Sequence, residues 1–166
     1  MTRTALEFDD INKFFEIKDG SVVHKINRPR RKAGEVAEVT GGEGYKLVRH
    51  NKTYIRAHRI VFLLTYGYCP EVIDHINGIK NDNRPENLRA ANYSENRWNS
   101  VVQSNNTSGY KGIHQLKNGG GYQAKITYNG KIKFLGTFKS MDLAKEFLDL
   151  AREMVHGSFA HNGVKA

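Results

Sequence analysis

Hydrophobic and polar positions alternate in short runs over residues 5 to 60, in FFEIKDG, SVVHKINR, GGEGYKLVRH and NKTYIRAHRI. A period of two predicts β-hairpins, with Asp19-Gly20 and the glycines at 41, 42 and 44 as turns. The densest apolar stretch, HRIVFLLTYG at 58–67, predicts a short buried helix. Next, an apolar strand leads to Asp74-His75, Asn77-Gly78 turns the chain, and a polar return ends in a short helix that Ser94 can cap, carrying Asn96 and Asn99. A polar stretch without hydrophobic period, VVQSNNTSG, then reads as a linker. Beyond it, YKGIHQL, GYQAKITYNG and KIKFLGTF predict three strands, the last two joined at Asn129-Gly130, a tight-hairpin signal. A final helix is capped by Ser140 and ended by Gly157, with Ala144, Phe147, Leu148, Ala151 and Val155 on one face and Met154 also assigned to the core. The fold class is α+β: N-terminal hairpins with a strand-turn-strand-helix unit at 73–99, then a three-stranded antiparallel sheet packed on one helix. The boundaries are a front domain at 1–100, a linker at 101–108 and a back domain at 109–164.

Composition narrows the partners. The chain has 166 residues with 26 Lys and Arg against 17 Asp and Glu, a formal charge of +9, which favours polyanions. From residue 103 onward there are nine Lys or Arg and four Asp or Glu, so the back module is basic by itself. The single cysteine, Cys69, excludes an intrachain disulfide and any zinc site with two or more thiolates. The N-terminal stretch carries acidic residues where a secretory signal would be apolar, and no apolar run approaches the roughly 20 residues of a membrane span. A soluble protein of the cytoplasm is expected, without a membrane partner. The basic loop of Arg28, Arg30, Arg31 and Lys32 around Pro29 reads as a solvated surface or a phosphate contact.

The segment VIDHINGIKNDNRPENLRAANYSENRWNS holds the chemistry. Asp74 and Asn96 offer hard oxygen atoms to a divalent ion such as Mg²⁺ or Mn²⁺, with Asn99 and Asn92 as rival ligands. His75, with an ordinary pKa of about 6.5, suits the removal of a proton from water near neutral pH. Asn87 is a candidate to orient His75 through its amide. Adjacent strand residues point to opposite faces, so a distortion is expected if Asp74 and His75 are to serve one site. His58 reads as a structural histidine, Arg84 and Arg89 as hairpin supports or phosphate contacts, and Trp98 as the core anchor of the short helix.

DHINGIKNDNRPENLR, with Asn96 and Asn99 in N-x-x-N spacing, resembles the HNH endonucleases of phage and intron-encoded homing elements. The resemblance covers roughly residues 45 to 100. It implies a ββα-metal (His-Me finger) unit in which His75 is the general base, Asp74 and Asn96 hold one metal ion, and Asn87 braces the hairpin. It also implies a phage or mobile-element origin. The third motif letter is Asn rather than His, which favours a hard ion over zinc.

Residues 107 to 164 resemble the ethylene-response-factor, or Apetala-two, DNA-binding domain in Y-x-G-[IV], L-G-T-F and an alanine-bearing helix. The resemblance implies duplex DNA reading from the sheet, and the matching positions are Lys111, His114, Lys125, Thr127 and Phe134. Lys117, Lys131 and Lys133 are further candidates. These lysines replace the family's arginines and favour phosphate positioning over bidentate base reading. The expected function is a metal-dependent DNA endonuclease, nicking one strand at a site chosen by the back module, as a monomer unless chains pair. The alternatives are a non-catalytic DNA-binding regulator and an RNA-directed protein of either kind.

Overall fold

The computed structural model describes residues 6–100, 102 and 106–160. The chain divides into two compact units, residues 1–91 and 92–166.

The first unit opens with α1 (Phe8–Phe14), a helix that the hairpin reading of this region passes over. Asp9 and Asp10 in its first turn and Lys13 in its last suit the helix dipole, and Ile11 is its buried residue. A tight hairpin follows, β1 (Phe15–Lys18) against β2 (Ser21–His24), closed by Asp19-Gly20 with φ of 51° and 74°. Both central residues lie in the left-handed region that a type I′ turn requires. β3 (Glu38–Thr40), β4 (Lys46–His50) and β5 (Thr53–Arg56) form an antiparallel sheet in that order.

The expected apolar helix is α2 (Ala57–Tyr66), and it stops at Gly67, whose φ of 78° admits the left-handed C-cap. It buries Ala57, His58, Ile60, Val61, Phe62 and Leu63 and stands at the centre of the unit's core. β6 (Val72–His75) and β7 (Leu88–Ala91) pair antiparallel, and Ile73 and Leu88 sink into that core. Each such burial contributes about 1.5–3 kcal/mol, so the hairpin is anchored through these two residues.

The second unit begins with α3 (Tyr93–Trp98). Its cap is Asn92 rather than Ser94: Asn92 Oδ1 accepts from the Glu95 amide at 2.9 Å, and Glu95 Oε2 accepts from the Asn92 amide at 2.7 Å. The reciprocal pair satisfies two amides, whereas a lone serine cap satisfies one. β8 (Ile113–Gln115), β9 (Tyr122–Tyr128) and β10 (Lys131–Phe138) form an antiparallel sheet in the order β10-β9-β8. Asn129 and Gly130, at φ 48° and 71°, close the β9–β10 hairpin.

α4 (Met141–His156) starts at Ser140, whose side chain accepts from the Leu143 amide, and Gly157 ends it. Ala144 and Leu148 are fully buried and pack on Ile113, Ala124 and Ile126. Phe147 and Met154 depart from the expected core: they are 48% and 87% exposed. Phe147 lies at the edge of the sheet, its ring 5.3 Å from that of Phe138, while Met154 lies on a stripe that is turned away from the Ala144–Leu148 face and that the thin sheet does not cover.

Of the expected linker, residues 101 and 103–105 lie outside the described residues. The Ser108 hydroxyl lies 2.6 Å from the Ile113 carbonyl and 3.0 Å from the Tyr110 carbonyl, which ties residue 108 to the start of the sheet. Among the described residues, no helix is long and apolar enough to cross a membrane.

Candidate functional site

The β6–β7 pairing runs without a shift in register, with Asp74 opposite Arg89 and His75 opposite Leu88. No bulge interrupts this register, and strand alternation directs Asp74 toward Arg89 and His75 toward Leu88. On one face, Arg89 Nε donates to Asp74 Oδ2 at 2.8 Å and Nη2 lies 2.7 Å from the same oxygen. Asp74 is 4% exposed, so this cation offsets much of the cost of burying its charge. On the other face, the His75 ring meets His58 of α2 edge-on, at 5.0 Å between centroids.

Between the strands, asparagines fold the connecting loop. Asn77 N donates to Asn87 Oδ1 at 3.0 Å, and Asn87 Nδ2 donates to Asn77 Oδ1 at 3.0 Å and to the Asp82 carbonyl at 2.8 Å. Asn77 Nδ2 donates to Asp82 Oδ2 at 2.8 Å, while Arg84 grips both Asp82 oxygens through Nε and Nη2. That guanidinium is the main reason the Asp82 carboxyl is held down to about 2. The side chain of Asn87 therefore stitches the loop to itself.

The amide that meets His75 is Asn83. Its Oδ1 lies 3.1 Å from His75 Nε2, and Asn83 is 3% exposed. Sequence reasoning missed it because several asparagines crowd this loop and residue type alone does not say which one turns inward. Burial pushes the His75 imidazolium below its ordinary value of 6.5, while the Asn83 bond and the charges of Asp74 and Asp82 act in the opposite direction. His75 is thus neutral at pH 7. His58, more deeply buried, is pushed down to about 3, first by burial and then by His75 beside it.

Residues 56–98 match the family described as HNH endonuclease. Protein 3.8 of Escherichia phage T7 is 34% identical over 109 residues, which cover 63% of this chain and 88% of that protein. An uncharacterised HNH endonuclease of Acanthamoeba polyphaga mimivirus is 28% identical over 123 residues, covering 72% of this chain and 63% of its own length. The chain belongs to the HNH endonuclease family. No solved structure matches it significantly.

In this HNH protein the motif residues fall in both units: Asp74, His75 and Asn87 in the first, Asn92, Asn96 and Asn99 in the second. Within α3, Asn92 is occupied as the N-cap, Asn96 is exposed, and Asn99 is the 4%-exposed C-cap residue. Trp98 stacks on His156 with centroids 4.1 Å apart and planes 10° off parallel, so its anchor is another ring rather than the apolar core.

The expected DNA-facing residues of the second unit separate. Lys111 Nζ donates to the carbonyls of Arg97, Trp98 and Ser100 and to Ser100 Oγ, at 2.8–3.1 Å. Its ammonium is committed to the C-terminal end of α3, and burial there lowers its pKa to about 8. The strand register decides the rest. His114 pairs with Gln123, Phe134 with Lys125 and Ile132 with Thr127, which puts His114, Lys125, Thr127, Ile132 and Phe134 on the face opposite the buried Ala124 and Ile126. Lys131 and Lys133 have the other parity, as Lys133 pairs with Ile126; both, like Lys117, are exposed. In the first unit, Arg28 lies 4.5 Å over the Phe14 ring, while Arg30, Arg31 and Lys32 are exposed.

Proposed function

We propose that this chain is a metal-dependent DNA endonuclease of the homing type, in which the first unit carries the general base and the sheet of the second unit holds duplex DNA. The observation that carries the reading is the buried His75, held at Nε2 by Asn83 Oδ1. An amide oxygen only accepts, so Nε2 bears the hydrogen and the lone pair of the neutral ring is on Nδ1. His75 Nδ1 takes a proton from water as its oxygen bonds to phosphorus; the P–O3′ bond then breaks and the 3′ oxygen leaves, to be protonated by solvent.

Among the described residues no three His, Cys, Asp or Glu side chains gather in a metal-holding cluster. The donors available to a divalent ion are the buried Asp74 carboxylate, amide oxygens, water and the substrate phosphate, a set that fits Mg²⁺ or Mn²⁺. Asp74 is the carboxylate of the first unit that would hold the ion. When bound, the ion supplies charge neutralisation at the phosphate. Arg89 orients the Asp74 carboxylate through Nε and Nη2. Asn87 keeps the loop closed around Asn83, and so acts on His75 from one residue further away.

The resemblance of residues 107 to 164 to Apetala-two domains, with the outward face of His114, Lys125, Thr127 and Phe134, supports duplex DNA as the partner of the second unit. The viral origin of both relatives supports a phage or mobile-element setting, acting in the host cytoplasm. Purified protein with Mg²⁺ or Mn²⁺ should nick supercoiled plasmid, and His75→Ala should abolish nicking while retaining DNA binding. Equal nicking by the variant would remove His75 as the base.

A further inference from the structure

Tyr45 carries two cations on one ring. The Arg56 guanidinium lies 4.3 Å and the Lys80 ammonium 5.0 Å from its centroid. The ring is half-buried between them and the histidines, 5.5 Å from His58 and 6.2 Å from His75. Three separate segments converge here: the residue before β4, the end of β5 and the loop after β6. Lys80 Nζ also donates to the Glu43 carbonyl at 3.1 Å, and Glu43 holds a φ of 61°, a strained value for a residue with a side chain.

Neither Arg56 nor Lys80 has a carboxylate within ion-pair distance among the described residues. Both side chains are exposed. Like charges gathered on one ring repel, and the ring quadrupole compensates only in part at an exposed site. An anion in front of the ring would satisfy both heads, the guanidinium through its planar fork and the ammonium as a point charge.

We propose that Arg56 and Lys80, presented by Tyr45, bind a phosphate of the DNA backbone beside the phosphodiester on which His75 acts. The assignment of a reacting phosphodiester rests on the nuclease reading; the phosphate contact itself does not. Tyr45 is a positioning residue, holding both heads before DNA arrives and so reducing the ordering cost of binding.

The test uses the full chain with Arg56→Gln, Lys80→Gln, the double variant and Tyr45→Leu, with Arg56→Lys as the conservative control. A fluorescent duplex is titrated with metal chelated, at several salt concentrations, and single-turnover nicking is measured with Mg²⁺ at rising DNA. The double variant should bind at least tenfold more weakly, with a log K against log salt slope lowered by about 0.9, the value for the one phosphate it no longer neutralises. Tyr45→Leu should weaken binding in the same sense, and Arg56→Lys should retain most of it. Unchanged affinity and salt slope in the double variant overturn the proposal, as does a lost nicking rate at unchanged affinity. If the wild-type chain does not nick at all, the nuclease reading fails while the binding titration still decides the phosphate contact.

Discussion

Asn83 Oδ1 sits 3.1 Å from His75 Nε2, with both residues buried at the closed end of the β6–β7 hairpin. With an amide oxygen as its partner, Nε2 carries the imidazole hydrogen. Asn83→Ala removes the acceptor and frees the ring to change tautomer and rotate. Nicking rate at saturating DNA should fall by about tenfold to a hundredfold, less than the roughly 10²–10⁴-fold that loss of the base itself would cost, with little change in DNA affinity. Asn83→Asp, which keeps an oxygen acceptor, should retain more activity than Asn83→Ala; the reverse order would rule out the acceptor role.

Folding stability should depend on pH through His58. Its folded pKa of about 3 lies below the ordinary 6.5, so as pH falls below 6.5 the unfolded chain takes a proton that the folded chain refuses. Stability is therefore full above that value and declines from about 6.5 toward 3. One such group changes stability by at most about 1.4 kcal/mol per pH unit. His24, His75 and His156 are lowered in the same direction, so the wild type should lose stability steeply. Urea melts between pH 7 and pH 5 should show a slope shallower by up to one proton in His58→Gln.

Arg89 and Asp74 form a buried pair, with side chains 16% and 5% exposed. Arg89→Met leaves the carboxylate without its guanidinium, at a cost of about 3–5 kcal/mol. If Asp74 is a metal ligand, Mg²⁺ or Mn²⁺ should recover part of this loss, because an ion that binds the folded state alone stabilises it. Thermal melts of Arg89→Met with metal and with chelator measure the recovery. No difference between them would remove Asp74 from the metal site.

Lys111 and Lys125 should behave differently although sequence places them in one DNA-facing set. Lys111→Met removes the donor from the end of α3 and should lower stability by about 1–2 kcal/mol, with duplex affinity unchanged at permissive temperature. Lys125→Met should leave stability nearly unchanged and weaken duplex binding with a lower salt slope. Gel shifts and melts on the two variants separate the roles.

Sequence by itself determined the elements whose signals are local. Alternation and left-handed turn residues set the β1–β2 and β9–β10 hairpins, an apolar run closed by glycine set α2, and Ser140 with Gly157 bounded α4. The motif DHINGIKNDNRPENLR named Asp74 and His75 because residue type and spacing carry the family pattern. The tertiary structure decided what depends on partners distant in the chain. It chose Asn83 among the loop asparagines to face His75, set Arg89 on Asp74 through strand register, committed Lys111 to α3, and left Met154 uncovered because only one face of α4 has a sheet against it. Those outcomes follow from packing and hydrogen-bond competition, where residues of the same type are distinguished only by what the folded chain brings beside them.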